Sequence, residues 1–551
     1  MTDTIETLAD EYWAAYLTDN PTEAHLLGHY PEQGRFEDAS RAAEDRVIAT
    51  ERDLARRAEA IDPGSLDEQQ QITRLVLVAN ATARADLLEA RLTELGADPI
   101  FGIQASMPLI LGMLRLPTAE VAAAMAGTLE GVGQHYRDLA ERHRDGVDAG
   151  RTPAAFAVRD TVAQLDAIIA GEVEDDPLLE ALRAPEGLDV VTWRATLASV
   201  IEKSVRPGMA EYRDVLRDVV LPNARSDEHC GLHWLEGGAD AYERTLRYFT
   251  TTRRSAQDIH DVGLAQVAAL AEEYRALGPE TVGTDDLGEI FEKMRTDPAL
   301  HFTTGDELVG ASRVAMARAS AAMGDWFEVV PKAPCAVEGT LTGAKAFYFP
   351  PAEDGSRGGT FFVNIDDPSS WGTFELEAMA FHEGIPGHHL QLAIAGELPD
   401  SVPTFRRHVH NSAYAEGWGL YSERLSDEMG LYATQVDRIG MLAADSMRAT
   451  RLVVDTGLHG LGWSRQQAVD YMLANTPLSE GVVRPEIDRY VVSPGQATSY
   501  MIGRLEIQRM RREAEQRQGE GFTVKKFHSA VLDSGSLPLE VLDRVVKARL
   551  P

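Results

Sequence analysis

The sequence predicts a mainly α-helical protein with one small antiparallel β-sheet. Three observations predict it. Over long stretches of the first 330 residues, apolar side chains recur three and four positions apart, the spacing that gives a helix one apolar face. Strand-like runs are confined to the interval between Trp326 and Ile365. The composition, 44% hydrophobic and 25% charged over 551 residues, is that of a chain with a packed core rather than a disordered one.

Taken in order, helical patterning covers 72–95, 117–144, 158–170, 190–219 and 241–277. Turn residues break it at Asn20-Pro21, Asp62-Pro63-Gly64, Pro185-Glu186-Gly187 and Leu221-Pro222-Asn223. Near Asp325 the texture changes. Trp326 to Val330 is rich in β-formers, and 345–349 and 360–365 read as two strands. The turn-rich segment 350–359 joins these two as an antiparallel hairpin. In the second strand Phe361, Val363 and Ile365 share one face, and Thr360, Phe362 and Asn364 the other. Helices resume at Thr373, and Ser464-Arg465-Gln466-Gln467 reads as a capping box. Two regions result, 1–325 and 326–551, with no repeat and no low-complexity linker between them, so one continuous body is expected.

Lys and Arg number 53 and Asp and Glu 87, a formal charge of −34. Nucleic acid and anionic membranes both require clustered cations, so neither is an expected partner. The same field is expected to favour neutral or basic ligands over acidic ones. Cys230 and Cys335 are too few and too far apart for a disulfide framework or a CxxC zinc site. The first residues carry acid where a signal peptide carries base. The longest uncharged apolar stretch, 101–114, is too short to span a bilayer. A cytoplasmic location is the resulting expectation.

The chemically informative segment is Phe381-His382-Glu383-Gly384-Ile385-Pro386-Gly387-His388-His389-Leu390-Gln391. It is similar to the zinc signature HExxH, in which two histidines four apart share a helix face and the glutamate reaches a water on the metal. The literal spacing fails, because position 386 is proline. At about 100° per residue, His388 on a regular helix would face away from His382, and His389 would stand about 10 Å along the axis. Pro386 breaks the helix, and Gly384 and Gly387 let the chain re-enter, so a bulge could return either histidine to the first one's face. Catalytic zinc usually keeps three protein ligands. Glu416 lies 28 residues past His388 on the helical stretch 411–425, where Gly417 and Gly419 permit close packing. Glu423, two turns on, is too far to join the same metal.

Four runs, 382–391, Glu416-Gly417-Trp418, 454–459 and 494–500, together resemble the bacterial domain-of-unknown-function 885 family over nearly the whole chain. That family looks like a distant branch of the helical gluzincins, such as thimet oligopeptidase and angiotensin-converting enzyme. The resemblance implies a large helical metallopeptidase-like body with zinc at the floor of a deep channel, the 1–325 region forming one wall. It also implies a zinc-dependent hydrolase of short peptides or small amides. Carried over, it makes His382, His388 and Glu416 the zinc ligands, with His389 second shell or packed. Glu383 is the general base, and Tyr500 and His459 are the oxyanion donors. The strand 360–365 would bind extended substrate at its edge through Asn364. Two rival readings are a non-haem iron enzyme using the same two histidines and carboxylate, and a helical binding protein whose metal site Pro386 has spoiled. His229 and His233 are assigned to packing or surface, as are His408 and His410, for which lining the cleft is the lesser alternative, and Arg451 and Asp455, four apart, are assigned to a helix ion pair.

Overall fold

The computed structural model describes residues 3–30, 34–352, 355 and 357–551, and its fold is mainly α. Helices form where the pattern predicts them, with three differences. The 72–95 stretch is helical only to Glu89; Arg91 is left-handed (φ 55°) and Leu92–Leu95 is a 3-10 turn. The 241–277 stretch is two helices, Gly238–Thr250 and Ala256–Thr281. They are separated by Thr251 in the left-handed region (φ 50°) and by a capping box on Ser255. The 190–219 stretch is one helical run interrupted by two π-turns, Ile201–Val205 and Leu216–Val220. The predicted capping box on Ser464 is present.

Nine helices position the site. They are α1 (Ile5–Asp19), α2 (Glu68–Glu89), α3 (Gly238–Thr250), α4 (Glu375–Glu383) and α5 (His388–Gly396), followed by α6 (Ser412–Glu428), α7 (Gln435–His459), α8 (Ser499–Gln518) and α9 (Leu539–Arg549). One apolar core joins the two ends of the chain. It packs Ile5, Leu8 and Tyr12 of α1 with Trp418 of α6 and with Leu542 and Val546 of α9. A second core runs from Leu95 to Ile502 and holds the sheet and α4. Residues 97–220 pack mainly around a core of their own.

The sheet corrects the sequence reading in two ways. Trp326 closes the helix Gly305–Trp326, and 327–330 form no strand. A strand lies instead at Cys335–Thr340 (β1), beside Ala346–Phe349 (β2) and Gly359–Asn364 (β3). The order is β1-β3-β2: β2 pairs antiparallel with β3 as predicted, but β1 pairs parallel with it. The sheet is therefore mixed, and β3 is its centre. Only Val337 of β1 is buried, so β1 lacks the apolar alternation that marks a strand. Phe361 and Val363 are buried as expected of the inner face. The predicted 350–359 turn falls partly outside the described residues.

Candidate metal centre

The segment between His382 and His388 is not a bulged helix. α4 ends at Glu383, and a turn through Gly384, a cis Ile385–Pro386 bond and Gly387 leads into α5 at His388. Both glycines are set by close approach. A Cβ on Gly387 would lie 1.9 Å from the His382 carbonyl oxygen, and one on Gly384 2.2 Å from Met316 Sδ. The Trp418 indole donates to the Pro386 carbonyl at 3.0 Å and ties the turn to α6. Gly419 lets α6 pass against the His382 ring, where a Cβ would meet Cε1 at 2.7 Å. Gly417 serves a different contact from the one expected: it meets Gly503 of α8.

This turn brings His382, His388 and Glu416 together, with one ligand atom from each within 4.8 Å of the others. The Nε2 atoms of His382 and His388 each lie 3.5 Å from the same Glu416 oxygen, Oε2. Their rings are 4.7 Å apart and nearly perpendicular. Donors bound at about 2.0–2.1 Å in a tetrahedron stand roughly 3.3 Å from one another, so the spacing fits a shared cation better than direct hydrogen bonds. His388 Nδ1 is buried without a hydrogen-bond partner among the described residues. Burial works against a charged His382, yet Glu416 and Glu423 outweigh it and push the imidazole up to about 9. Burial likewise opposes ionisation of Glu416, and the two histidines overcome it, holding the carboxyl well below its ordinary range. Two imidazoles and an ionised carboxylate are a donor set suited to a divalent transition metal.

Glu423 has a role that the sequence reading missed. Its Oε1 lies 2.7 Å from His382 Nδ1, and the residue is fully buried. A carboxylate there holds the proton on Nδ1, so Nε2, which faces Glu416 and His388, is the nitrogen whose proton a cation would displace. Arg448 stands 3.8 Å from the same oxygen. The signal was present in the sequence: 416 and 423 are seven apart, so they share a helix face.

The remaining predicted residues divide. Glu383 follows His382, is half-buried, and its carboxylate makes no hydrogen bond among the described residues. Tyr500 stacks on His382, with ring centroids 6.4 Å apart and 23° between planes, and the Arg451 guanidinium lies 4.6 Å from its centroid. Its hydroxyl likewise takes no hydrogen bond among the described residues. Burial, then Glu416, raise its pKa.

His459 and Asn364 depart from the sequence-based roles, and His389 is packed, one of the two places expected for it. The His459 ring is buried, its Nδ1 accepts from the Leu232 amide at 3.1 Å, and its Nε2 donates to the Tyr490 carbonyl at 2.9 Å. It has no proton to offer a substrate. Asn364 donates to the Gly343 carbonyl and accepts from the Asp366 amide, and β3 has a neighbour on both sides, so it offers no edge. His389 points away from the cluster: Nδ1 meets the Tyr348 hydroxyl at 2.8 Å and Nε2 the Ala333 carbonyl at 3.1 Å. The expected Arg451–Asp455 pair is not made. Arg451 binds Glu486 and Tyr490, and Asp455 accepts from Tyr242 and the Gly495 amide.

The structure of His459 carries a pH prediction. Burial pushes its pKa down to about 3. Protonation would set Nδ1–H against the Leu232 N–H, so the folded state accepts only the neutral ring. A depressed histidine gives its full stability above the unfolded value of about 6.5 and loses it as pH falls below that. His459→Gln should cost about 1–3 kcal/mol at pH 7.5. That cost should shrink by about 2 kcal/mol between pH 7.5 and pH 5, mostly below pH 6.5, where the wild type alone pays up to about 1.4 kcal/mol per pH unit. Urea unfolding of both proteins at the three pH values measures it.

A cavity of about 910 Å³ reaches Glu416. Both ends of the chain wall it, through Tyr16 of α1, Arg84 of α2, Tyr248 of α3 and Val541 of α9. His410 also lines it; the ring is open to the cavity, makes no hydrogen bond among the described residues, and is held below its ordinary pKa by burial, with Glu416 opposing. Lining the cleft is the lesser of the two expectations for this residue, and it is where the ring lies.

Fold and cluster together define a helical protein with a two-histidine, one-carboxylate centre at a cavity wall. The family model described as "Bacterial protein of unknown function (DUF885)" matches residues 21–546, and the chain belongs to that family. No curated protein matches it. Two solved structures share the fold. One is described as a "putative lipoprotein" from Colwellia psychrerythraea, with TM-score 0.90, 23% identity and 100% of each chain covered. The other, described as a "putative lipoprotein of unknown function" from Shewanella oneidensis, has TM-score 0.79 and 18% identity, covering 98% of this chain and 99% of that one. No helix among the described residues is long and apolar enough to cross a membrane.

Proposed function

We propose that this protein is a zinc-dependent hydrolase of peptide or related amide bonds, a distant relative of the helical gluzincins. The observation that carries the reading is the convergence of His382 and His388 Nε2 on one Glu416 oxygen, with an uncommitted carboxylate, Glu383, beside the first histidine. His382, His388 and Glu416 would hold the metal. A divalent cation supplies Lewis acidity there, polarising a carbonyl and making the attacking water more acidic. Glu383 accepts the proton of that water and returns it to the leaving amine. Tyr500, whose hydroxyl is free beside His382, donates to the oxyanion. His410, open to the cavity on the Glu416 side, takes the place that the sequence reading gave His459. Glu423 fixes the His382 tautomer.

Metal analysis of protein purified without added metal, followed by a peptide-library digest with and without chelator, tests the reading. One zinc per chain and chelator-sensitive cleavage are expected; a metal-free, inactive protein would overturn it. The same donor set suits non-haem iron. Glu383 has no task in that chemistry, and iron in place of zinc would favour it. Glu423→Gln should weaken zinc binding about 10- to 100-fold without changing the ligand set. Competition with a chromophoric chelator measures this, and unchanged affinity would remove Glu423 from the site.

A further inference from the structure

The cavity beside Glu416 is lined by four arginines and five carboxylates, and their commitments differ. Four of the acids are engaged. Asp86 pairs with Arg52, Glu540 lies 3.5 Å from Arg253, Glu243 accepts from the Ala256 amide, and Glu416 belongs to the metal cluster. Glu59 alone is free among the described residues. Of the arginines, Arg84 lies 3.4 Å from Glu51 and Arg253 is beside Glu540. Arg247 and Arg544 are exposed and have no partner among the described residues. The buried Asn80 amide nitrogen, on the same lining, lacks an acceptor too among the described residues. The uncommitted groups are therefore mostly donors, and the group that answers them is an acceptor.

Resting on the hydrolase reading, we propose that this cavity selects substrates carrying a free carboxylate, held by Arg247 and Arg544 while the scissile bond lies at the Glu416 end. Guanidinium–carboxylate bonds are the strong, directional contacts that such a group makes. The chain's −34 charge argued for neutral or basic ligands. At physiological salt that field is screened beyond about 8 Å, so the unpaired guanidiniums that a ligand touches outweigh distant carboxylates. A cavity of about 910 Å³ also fits a small ligand rather than a folded chain.

The test uses the zinc-loaded full chain and matched short peptides: a C-terminal acid, its C-terminal amide, and amides with an internal Glu or Gln. Hydrolysis by wild type should show a KM roughly 10- to 100-fold lower for the preferred carboxylate-bearing peptide than for its neutral match. The acid–amide and Glu–Gln pairs tell a terminal from a side-chain carboxylate. The Arg247→Gln/Arg544→Gln double variant should lose that discrimination, and the corresponding double lysine variant should restore part of it. Calorimetric binding of the same peptides to Glu383→Gln reads the site without turnover. Preference for the carboxylate there, with no cleavage by wild type, upholds this site and overturns the hydrolase reading. Equal binding of acid and neutral peptides, or a preference that survives the double variant, overturns the site whatever the turnover.

Discussion

Glu383→Gln is expected to keep one zinc per chain and lose hydrolysis by about 10²- to 10⁴-fold, the contribution of a positioned general base. The substitution separates base from ligand because the structure separates them. The three donors that converge are His382, His388 and Glu416, and Glu383 is not among them. Its carboxylate supports no internal hydrogen bond, so the amide, of nearly the same size, should leave folding within about 0.5 kcal/mol of wild type. KM should change little, since the loss falls on the chemical step. Metal content by mass spectrometry and steady-state rates on a confirmed peptide check both halves. Full activity in this variant would remove Glu383 from the mechanism.

Gly503→Ala should destabilise the protein by about 3 kcal/mol or more, whereas Gly310→Ala should stabilise it by up to about 1 kcal/mol. Both glycines sit inside helices, Gly503 in α8 and Gly310 in Gly305–Trp326. A Cβ on Gly310 meets nothing within 4 Å, so alanine there only restricts the unfolded chain. On Gly503 it would lie 1.9 Å from the Ala413 carbonyl oxygen and 2.7 Å from the Gly417 Cα. Those are backbone atoms, and no rotamer change relieves them. The helices must part, and α6 carries Glu416 and Glu423. Zinc affinity should therefore fall together with the urea midpoint. A cost below about 1 kcal/mol would mean that α6 and α8 do not touch backbone to backbone.

Local features were legible in the sequence. The β2–β3 hairpin, the Ser464 cap and the His-Glu-turn-His run depend on neighbouring residues, and the structure forms each. What could not be read depends on partners far along the chain. β3 looked like an edge strand because its parallel neighbour, Cys335–Thr340, has no strand pattern of its own. The buried, nearly unbroken apolar run of Thr360 to Val363 was the available sign of a central strand. The donor role of His459 came from the family resemblance alone. Its ring is instead filled by bonds to Leu232 and Tyr490, set by contacts that sequence spacing does not contain. Arg451 found its acid 35 residues away at Glu486 rather than one turn away at Asp455. Glu423 was discarded on distance to the metal, although helical phase placed it behind a ligand instead.

The sharing of one apolar core by α1 and α9 bears on how the protein is made. Tyr12 and Tyr16 form part of the cavity wall, and so do Val541 and Arg544, more than 500 residues later. The wall near Glu416 therefore stays incomplete until the end of synthesis, because its last helix follows His382, His388 and Glu416 in the chain. At about 5–20 residues per second, the 123 residues from Glu416 to Leu539 take roughly 6–25 s to translate. During that interval His382, His388 and Glu416 are already made while the chamber beside them lacks its last wall.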